Sequence, residues 1–415
     1  MLYKFGYALM WMTLRIFFRK VLIDGKERLS SSHPTIIIAN HPGSFLDAMV
    51  LSVFFGRPLY FYVRGDIFAH PIIYKIFTGL HMIPIYSIDS GVESLGKNKR
   101  TFERGRELLR AGNVLLIFPE GFSRFSKELA PFKKGAARVA LQTAFEDQFD
   151  KVLQIQTVSI NYSYHGFRSI LHVRIGDAME LDGYRDSYLS QPNHAIAALN
   201  RDMFELFEKN VIHVKQSERT PLVESLLQIA VDGESDADLY FKQSRKLCEK
   251  ISAMNEENFK LEEERLLKYQ DMLKQHKVSS NSIHANQPFY FFKIIFLVLA
   301  TPLALIGFML WHVIYFITKW IADYTVTRED FYTSVFCGVA GILGFIWWIM
   351  LSSFALFSDA VPVFFIAIFS PFIYMFSLYW MEMLGEILAF NRVRRLKLRD
   401  TPNYQKLLDA KAALN

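Results

Sequence analysis

From Pro288 onward this chain stops reading like a water-soluble protein. Residues 289–320 are almost continuously apolar; residues 331–357 and 361–384 follow, with only Ser358-Asp359-Ala360 between the last two. About 20 consecutive apolar residues are enough to cross a bilayer. Three such segments in succession are too much apolar surface for the core of a soluble domain, and in lipid the backbone polar groups are satisfied inside helices. This part is therefore expected to be α-helical and in the membrane, the last two segments forming a helical hairpin. Thr301-Pro302 interrupts the first segment, which fits a kinked span or a re-entrant helix returning to its side of entry. Charge favours the re-entrant form. Arg392, Arg394, Arg395, Lys397 and Arg399 in the tail, and Arg15, Arg19 and Lys20 near the start, all prefer the cytoplasmic side, and three full spans would separate them.

The rest of the chain divides by composition. Residues 1–20 place Lys4, Arg15 and Arg19 on one face of a helix and Phe, Leu, Ile and Trp over most of the remainder, the pattern of an amphipathic helix lying in the membrane interface. Residues 21–192 read as an α/β domain. Short apolar strands at 35–39, 83–86, 113–118 and 156–160 alternate with helical patterns at 44–55, 71–78, 101–111 and 135–145. That alternation predicts a mostly parallel sheet flanked by helices. Residues 193–287 are polar and helical, ending in a linker from Ser279 to Gln287. Membrane segments occupy 288–390, and a basic cytoplasmic tail 391–415. A net charge of +6 on a chain that is 51% hydrophobic points to anionic lipid headgroups or phosphorylated substrates. There is no zinc-finger spacing, RNA-binding aromatic signature or basic recognition helix to suggest nucleic acid. The two cysteines, Cys248 and Cys337, lie in a charged helix and an apolar run, so no disulfide is expected.

Two strings carry chemistry. The first is Asn40-His41-Pro42-Gly43-Ser44-Phe45-Leu46-Asp47. An imidazole is suited to take a proton from an attacking alcohol, and it works best when a carboxylate fixes its tautomer and stabilises the imidazolium. On one regular helix His41 and Asp47 would lie roughly 240° apart. His41 must therefore sit outside the helix, with Pro42-Gly43 as the turn and Ser44 as N-cap. The second string is Phe118-Pro119-Glu120-Gly121, followed by Ser123, Arg124, Lys133, Lys134 and Gly135. It places a carboxylate, backbone N–H groups and phosphate donors just past a strand, and the helix opened by Gly135 adds an N-terminus that favours an anion.

Together the two strings, with Phe132-Lys133-Lys134-Gly135-Ala136-Ala137, resemble the glycerolipid (PlsC-type) acyltransferases over residues 30–180. The resemblance implies transfer of a fatty acyl group from acyl-CoA or acyl carrier protein (acyl-ACP) to glycerol-3-phosphate or its 1-acyl product, lysophosphatidate. By position, His41 is the general base and Asp47 its partner. Glu120, Gly121 and Ser123 line the acceptor site, and Asn161-Tyr162 matches the last block. Five residues between His and Asp, an HX5D motif, place the chain near a subgroup that includes fungal glycerol-3-phosphate and dihydroxyacetone-phosphate acyltransferases and bacterial relatives with C-terminal membrane segments. Tyr86-Ser87 stands where the family often has a phosphate-gripping Arg, and Thr157 where it usually has Pro. The grip then falls to Lys97, Lys99, Arg100 or Arg104, or to Arg64, which is equally well read as the ion-pair partner of Asp66. Gly43 and Gly121 are the oxyanion candidates. No metal or other cofactor is expected, because the thioester co-substrate already supplies the activation and no ligand spacing or nucleotide loop appears.

Overall fold

Thr35-Ile36-Ile37-Ile38-Ala39 is β-branched with no polar alternation, the pattern of a strand covered on both faces. In the computed structural model it is β2 (Thr35–Ala39), every residue buried. The structure describes all residues except 1, 30–31, 87–91, 147–151, 232, 284–288, 358–359 and 415. Ser87, the end of the expected linker, Ser358-Asp359 and the side chain of Lys97 therefore lie outside the described residues.

The described residues form two compact units. The first comprises Met1–Leu14, Phe18–Lys215 and Arg328–Ser334. Its sheet has seven strands: β1 (Lys20–Asp24), β2, β3 (Leu59–Arg64), β4 (Met82–Ile85), β5 (Val114–Ile117), β6 (Gln154–Tyr162) and β7 (Ile170–Glu180), in the order β1-β7-β6-β2-β5-β3-β4. The five from β6 to β4 are parallel, as expected. β7 runs antiparallel to β6, and β1 pairs parallel with β7. The helices of this unit are α1 (Leu2–Phe17), α2 (Phe45–Phe54), α3 (Pro71–Gly79), α4 (Val92–Arg110), α5 (Gly135–Leu141), α6 (Arg185–Ser190) and α7 (Pro192–Glu208). The sequence reading ended this domain at residue 192. The unit runs on to Lys215 because α7 is amphipathic and buries Leu199, Met203 and Phe207 against Leu153, Ile155 and Phe132 in the core.

Parallel strands bring their carboxyl ends to one edge of the sheet, where active groups gather. Here β5, β2 and β6 are neighbours, and His41, Glu120 and Tyr162 lie at or just past their ends. Beyond the end of β2, the Asn40 amide continues the ladder. Its Nδ2 donates to the Ile160 carbonyl and its Oδ1 accepts from the Ile160 N–H, each at 2.8 Å.

The second unit contains Gln216–Thr327 and Val335–Asn415. Helices α8 (Thr220–Ala230), α9 (Ala237–Ser252) and α10 (Glu256–His276) form its polar part. The buried Arg219 guanidinium ties them by donating to the carbonyls of Ile251 and Met254. Three helices then follow that are long and apolar enough to cross a membrane: α11 (Tyr290–Thr325), α12 (Glu329–Leu356) and α13 (Val361–Arg399), before α14 (Thr401–Ala412). They expose Phe291, Leu299, Met309, Phe354 and Phe365 outward, a surface matched to lipid and not to water. The expectation of a first segment that turns back at Thr301-Pro302 is corrected. α11 is one helix of 36 residues that passes through Pro302. Pro302 has no N–H to offer the Val298 carbonyl; one residue earlier, the Leu297 carbonyl accepts from the Thr301 hydroxyl at 2.8 Å and from the Trp380 indole of α13 at 2.9 Å. α13 also continues past residue 390, so the first basic residues of the tail are helical.

Asn40→Ala should strand the buried N–H and C=O of Ile160. At about 1–3 kcal/mol for each of the two unmatched groups, the first unit loses about 2–6 kcal/mol. A thermal melt followed by a β-sheet signal should show a transition several degrees lower.

Candidate active site

The site begins with a buried carboxylate. Asp47 lies in the first turn of α2 and is fully buried, and it accepts three hydrogen bonds. His41 Nδ1 donates to Oδ2 at 2.9 Å, the Gly43 N–H donates to Oδ2 at 2.8 Å, and the Tyr162 hydroxyl donates to Oδ1 at 2.6 Å. With a carboxylate at Nδ1, that nitrogen carries the proton and Nε2 is left with its lone pair for a substrate hydroxyl. Phe118 stacks on the imidazole at 3.9 Å between centroids, which fixes the ring plane. The turn between the two residues is as tight as Pro42-Gly43 suggests: a Cβ on Gly43 would stand 2.8 Å from Asp47 Oδ1 and 2.9 Å from the Tyr162 ring.

Glu120, which lines the cleft beside His41, also holds two loops together. One carboxylate oxygen accepts from the His41 N–H at 3.1 Å and the other from the Ala130 N–H at 3.0 Å. Both oxygens are therefore committed to holding two loops. Burial raises its pKa from the usual carboxylate value, and the two amides and the nearby His41 and Arg124 work against that rise. The oxyanion candidates are also spoken for. The Gly43 N–H is on Asp47, and the Gly121 N–H donates to the Phe118 carbonyl at 3.0 Å to close the turn that requires its φ of 75°. Neither amide is open to an oxyanion in this arrangement, which corrects both assignments.

Among the phosphate candidates, Arg64 forms a two-pronged ion pair with Asp66, so the structural alternative for it holds here. Lys99 and Arg100 are exposed on α4, and Arg104 pairs with Glu107. Lys133 leans over Gly121 and faces the Phe122 ring. Lys134 is exposed at the start of α5, a helix of only seven residues. A cleft beside His41 is lined by none of these. Its charged walls are Glu120, Arg124, Lys127 and Glu128, with His165 and Asn161 among the remaining residues. Arg124 pairs with Glu128 at 2.7 Å and lies over the Phe122 ring. Burial, helped by Lys127, drives the His165 pKa down to about 3, so this imidazole is neutral at any working pH. Among the described residues no group of three His, Cys, Asp or Glu is placed to hold a metal ion.

The structure adds residues that the two strings did not single out. Ser44 is the N-cap of α2, but at φ 54°, ψ −133° its side chain makes no cap bond. The cap comes instead from Ser334, and Ser123 donates to Asp330 at 2.7 Å. Nothing in the spacing of residues 40–47 signals a partner almost 300 positions away. Tyr162 did carry a signal, through the Asn161-Tyr162 block.

Residues 20–163 match the model of the family described as Acyltransferase. Over 140 residues the chain is 35% identical to the chloroplastic 1-acyl-sn-glycerol-3-phosphate acyltransferase LPAT1 of Arabidopsis thaliana. The match covers 33% of this chain and 37% of that protein. It is 34% identical over 140 residues to the corresponding enzyme BAT2 of Brassica napus, again over 33% of this chain and 38% of the other. A probable 1-acyl-sn-glycerol-3-phosphate acyltransferase of Mycoplasma pneumoniae is 29% identical over 143 residues, 33% of this chain and 51% of that one. The chain thus spans well under two thirds of the curated relatives it matches. The crystal structure of the 1-acyl-sn-glycerophosphate acyltransferase PlsC from Thermotoga maritima aligns with 49% of this chain and 78% of its own, at 21% identity and a TM-score of 0.34.

Tyr162→Phe keeps the ring stacked on Phe18 and removes one donor from Asp47. A hydrogen bond to a charged group contributes about 1.5–3 kcal/mol, so turnover should fall about tenfold or more with little change in acceptor KM. Steady-state kinetics against wild type check this.

Proposed function

We propose that this chain is a membrane-bound O-acyltransferase that moves a fatty acyl group from acyl-CoA or acyl-ACP to the free hydroxyl of lysophosphatidate or of glycerol-3-phosphate, a step of phospholipid synthesis. The observation that carries this reading is the buried Asp47–His41 pair at the edge of the sheet, with Nε2 free of protein partners on the side-chain hydrogen bonds described. In the reaction His41 Nε2 takes the acceptor's hydroxyl proton, and the oxygen attacks the thioester carbonyl. The tetrahedral intermediate then collapses with cleavage of the C–S bond, and the proton returns from His41 to the leaving thiolate. Asp47 holds the imidazole and stabilises its protonated form; no acyl-enzyme is needed.

Lysophosphatidate is preferred as acceptor because the relatives matched over residues of this domain are named for it. Arg124 and Lys127 are the cations in the wall of the cleft that contains His41; to take its phosphate, Arg124 would exchange its pairing with Glu128, and Lys127 its bond to the Tyr162 carbonyl. We place the work at the cytoplasmic face of the membrane, on the strength of the basic residues that flank the apolar segments. A second acceptor class, hydroxylated lipids without phosphate, is favoured by the engagement of Arg64 with Asp66. A lipid-binding role without catalysis leaves the intact dyad without a purpose.

The test uses the full chain, purified in detergent, with labelled acyl-CoA and acyl-ACP against glycerol-3-phosphate, lysophosphatidate and non-phosphorylated lysolipids. Wild-type protein should acylate a phosphorylated acceptor, and His41→Ala should lower the rate by about 10²–10⁴-fold, the usual contribution of a general base. Transfer to non-phosphorylated acceptors alone would move the assignment to the second class. A folded His41→Ala protein with near-full activity would refute the mechanism.

A further inference from the structure

We infer that residues 328–334, which open α12 far along the chain, position the catalytic loops, with Ser334 as the residue that seats the His41–Asp47 turn. The inference rests on the acyltransferase reading for its kinetic consequence but on geometry for its physical content.

The turn has a defect that this segment repairs. Its last residue, Ser44, sits at φ 54°, a conformation uncommon for a residue with a side chain, and contributes no cap bond to α2. Without a side-chain cap its first amides have only tight backbone bonds, Leu46 N–H to the Gly43 carbonyl at 3.2 Å and Asp47 N–H to the Ser44 carbonyl at 3.1 Å. Ser334 fills the gap from outside. Its hydroxyl accepts from the Leu46 N–H at 2.9 Å and donates to the Gly43 carbonyl at 2.6 Å. One buried side chain thus joins the start of the turn to the first turn of the helix that carries Asp47. Four residues earlier, Asp330 reaches the second catalytic loop. Its Oδ2 accepts from the Ser123 hydroxyl at 2.7 Å, and Arg328 grips both of its carboxylate oxygens at 3.1 and 2.8 Å. The loop bearing Ser123 is already tied to the first, because the Arg124 N–H donates to the His41 carbonyl at 3.2 Å and Glu120 accepts from the His41 N–H. Residues 328–334 therefore touch both loops of the site through the side chains of Ser334 and Asp330.

A hydroxyl is what these contacts need. Alanine at 334 would remove both bonds at once and leave the Leu46 amide only its 3.2 Å backbone bond to the Gly43 carbonyl. A shift of about 1 Å in a catalytic group can cost about 100-fold in rate, and here the group that moves is the turn linking base to carboxylate. Ser334 and Asp330 make no contact with the cleft, so a loss of this kind should appear in kcat and not in acceptor KM.

The experiment compares full-length wild type with Ser334→Ala, Ser334→Thr and Ser334→Cys in detergent, by kinetics and by amide hydrogen exchange. Thr keeps the hydroxyl; Cys keeps the approximate volume and weakens both hydrogen bonds, which covers the case in which Ser334→Ala does not fold. Peptides covering residues 43–50 should exchange about tenfold faster in Ser334→Ala or Ser334→Cys and near the wild-type rate in Ser334→Thr, while peptides from β5 stay unchanged. Turnover should fall about tenfold in Ala or Cys with acceptor KM within twofold of wild type, and Thr should restore it. Unchanged exchange at 43–50 in a folded Ala or Cys variant would overturn the inference, as would wild-type turnover. Wild-type protein that transfers no acyl group would count against the acyltransferase reading, and the exchange comparison would still decide the role of Ser334.

Discussion

A carboxylate buried beyond reach of solvent must be matched by donors or it destabilises the fold that contains it. Asp47 is that group here, and the site is arranged around satisfying it. Its three donors come from three directions: the imidazole it orients, the turn that separates it from that imidazole, and the end of β6 through Tyr162. Each donor is fixed in turn. Phe118 stacks on His41, Asn40 joins β2 to β6 so that Tyr162 arrives in register, and Gly43 permits an approach that any Cβ would block. The position of Asp47 at a helix start adds a favourable interaction with the helix dipole.

Order in the sheet explains why this works with residues so far apart in the chain. β5, β2 and β6 are adjacent and parallel, so the residues after them converge although they lie about 80 and 120 positions from His41. Glu120 illustrates the economy of the arrangement. The residue lines the cleft, as the sequence pattern suggests, and its carboxylate also ties the His41 loop to the Ala130 loop. In the proposed reaction it would act through where His41 stands.

Much of this was legible in the residues. The β-branched run at 35–39, the alternation of strands and helices, and the three apolar segments gave the α/β domain and the long C-terminal helices. The HX5D spacing required His41 outside the helix, and there it is. What escaped had physical causes. β7 and β1 add an antiparallel turn of the sheet, and β7 carries His172, Arg174 and Asp177, which blur its apolar pattern. Pro302 reads as a break, yet α11 passes through it as one helix, with the Trp380 indole of α13 bonded to the Leu297 carbonyl nearby. The oxyanion assignments failed because a sequence does not say which amides are already used. Ser334 and Asp330 were invisible for a related reason: a long-range partner leaves no local pattern.

The central claim is that the acceptor hydroxyl is presented to His41 Nε2 in the cleft walled by Arg124 and Lys127. A structure of the full chain with lysophosphatidate bound tests it most directly. The account predicts the hydroxyl at about 2.6–3.2 Å from Nε2, hydrogen-bond reach for a general base, with the phosphate on Arg124 or Lys127. A lysophosphatidate seated with its hydroxyl out of reach of His41, and its phosphate on Lys99, Arg100 or Lys134 instead, would contradict it.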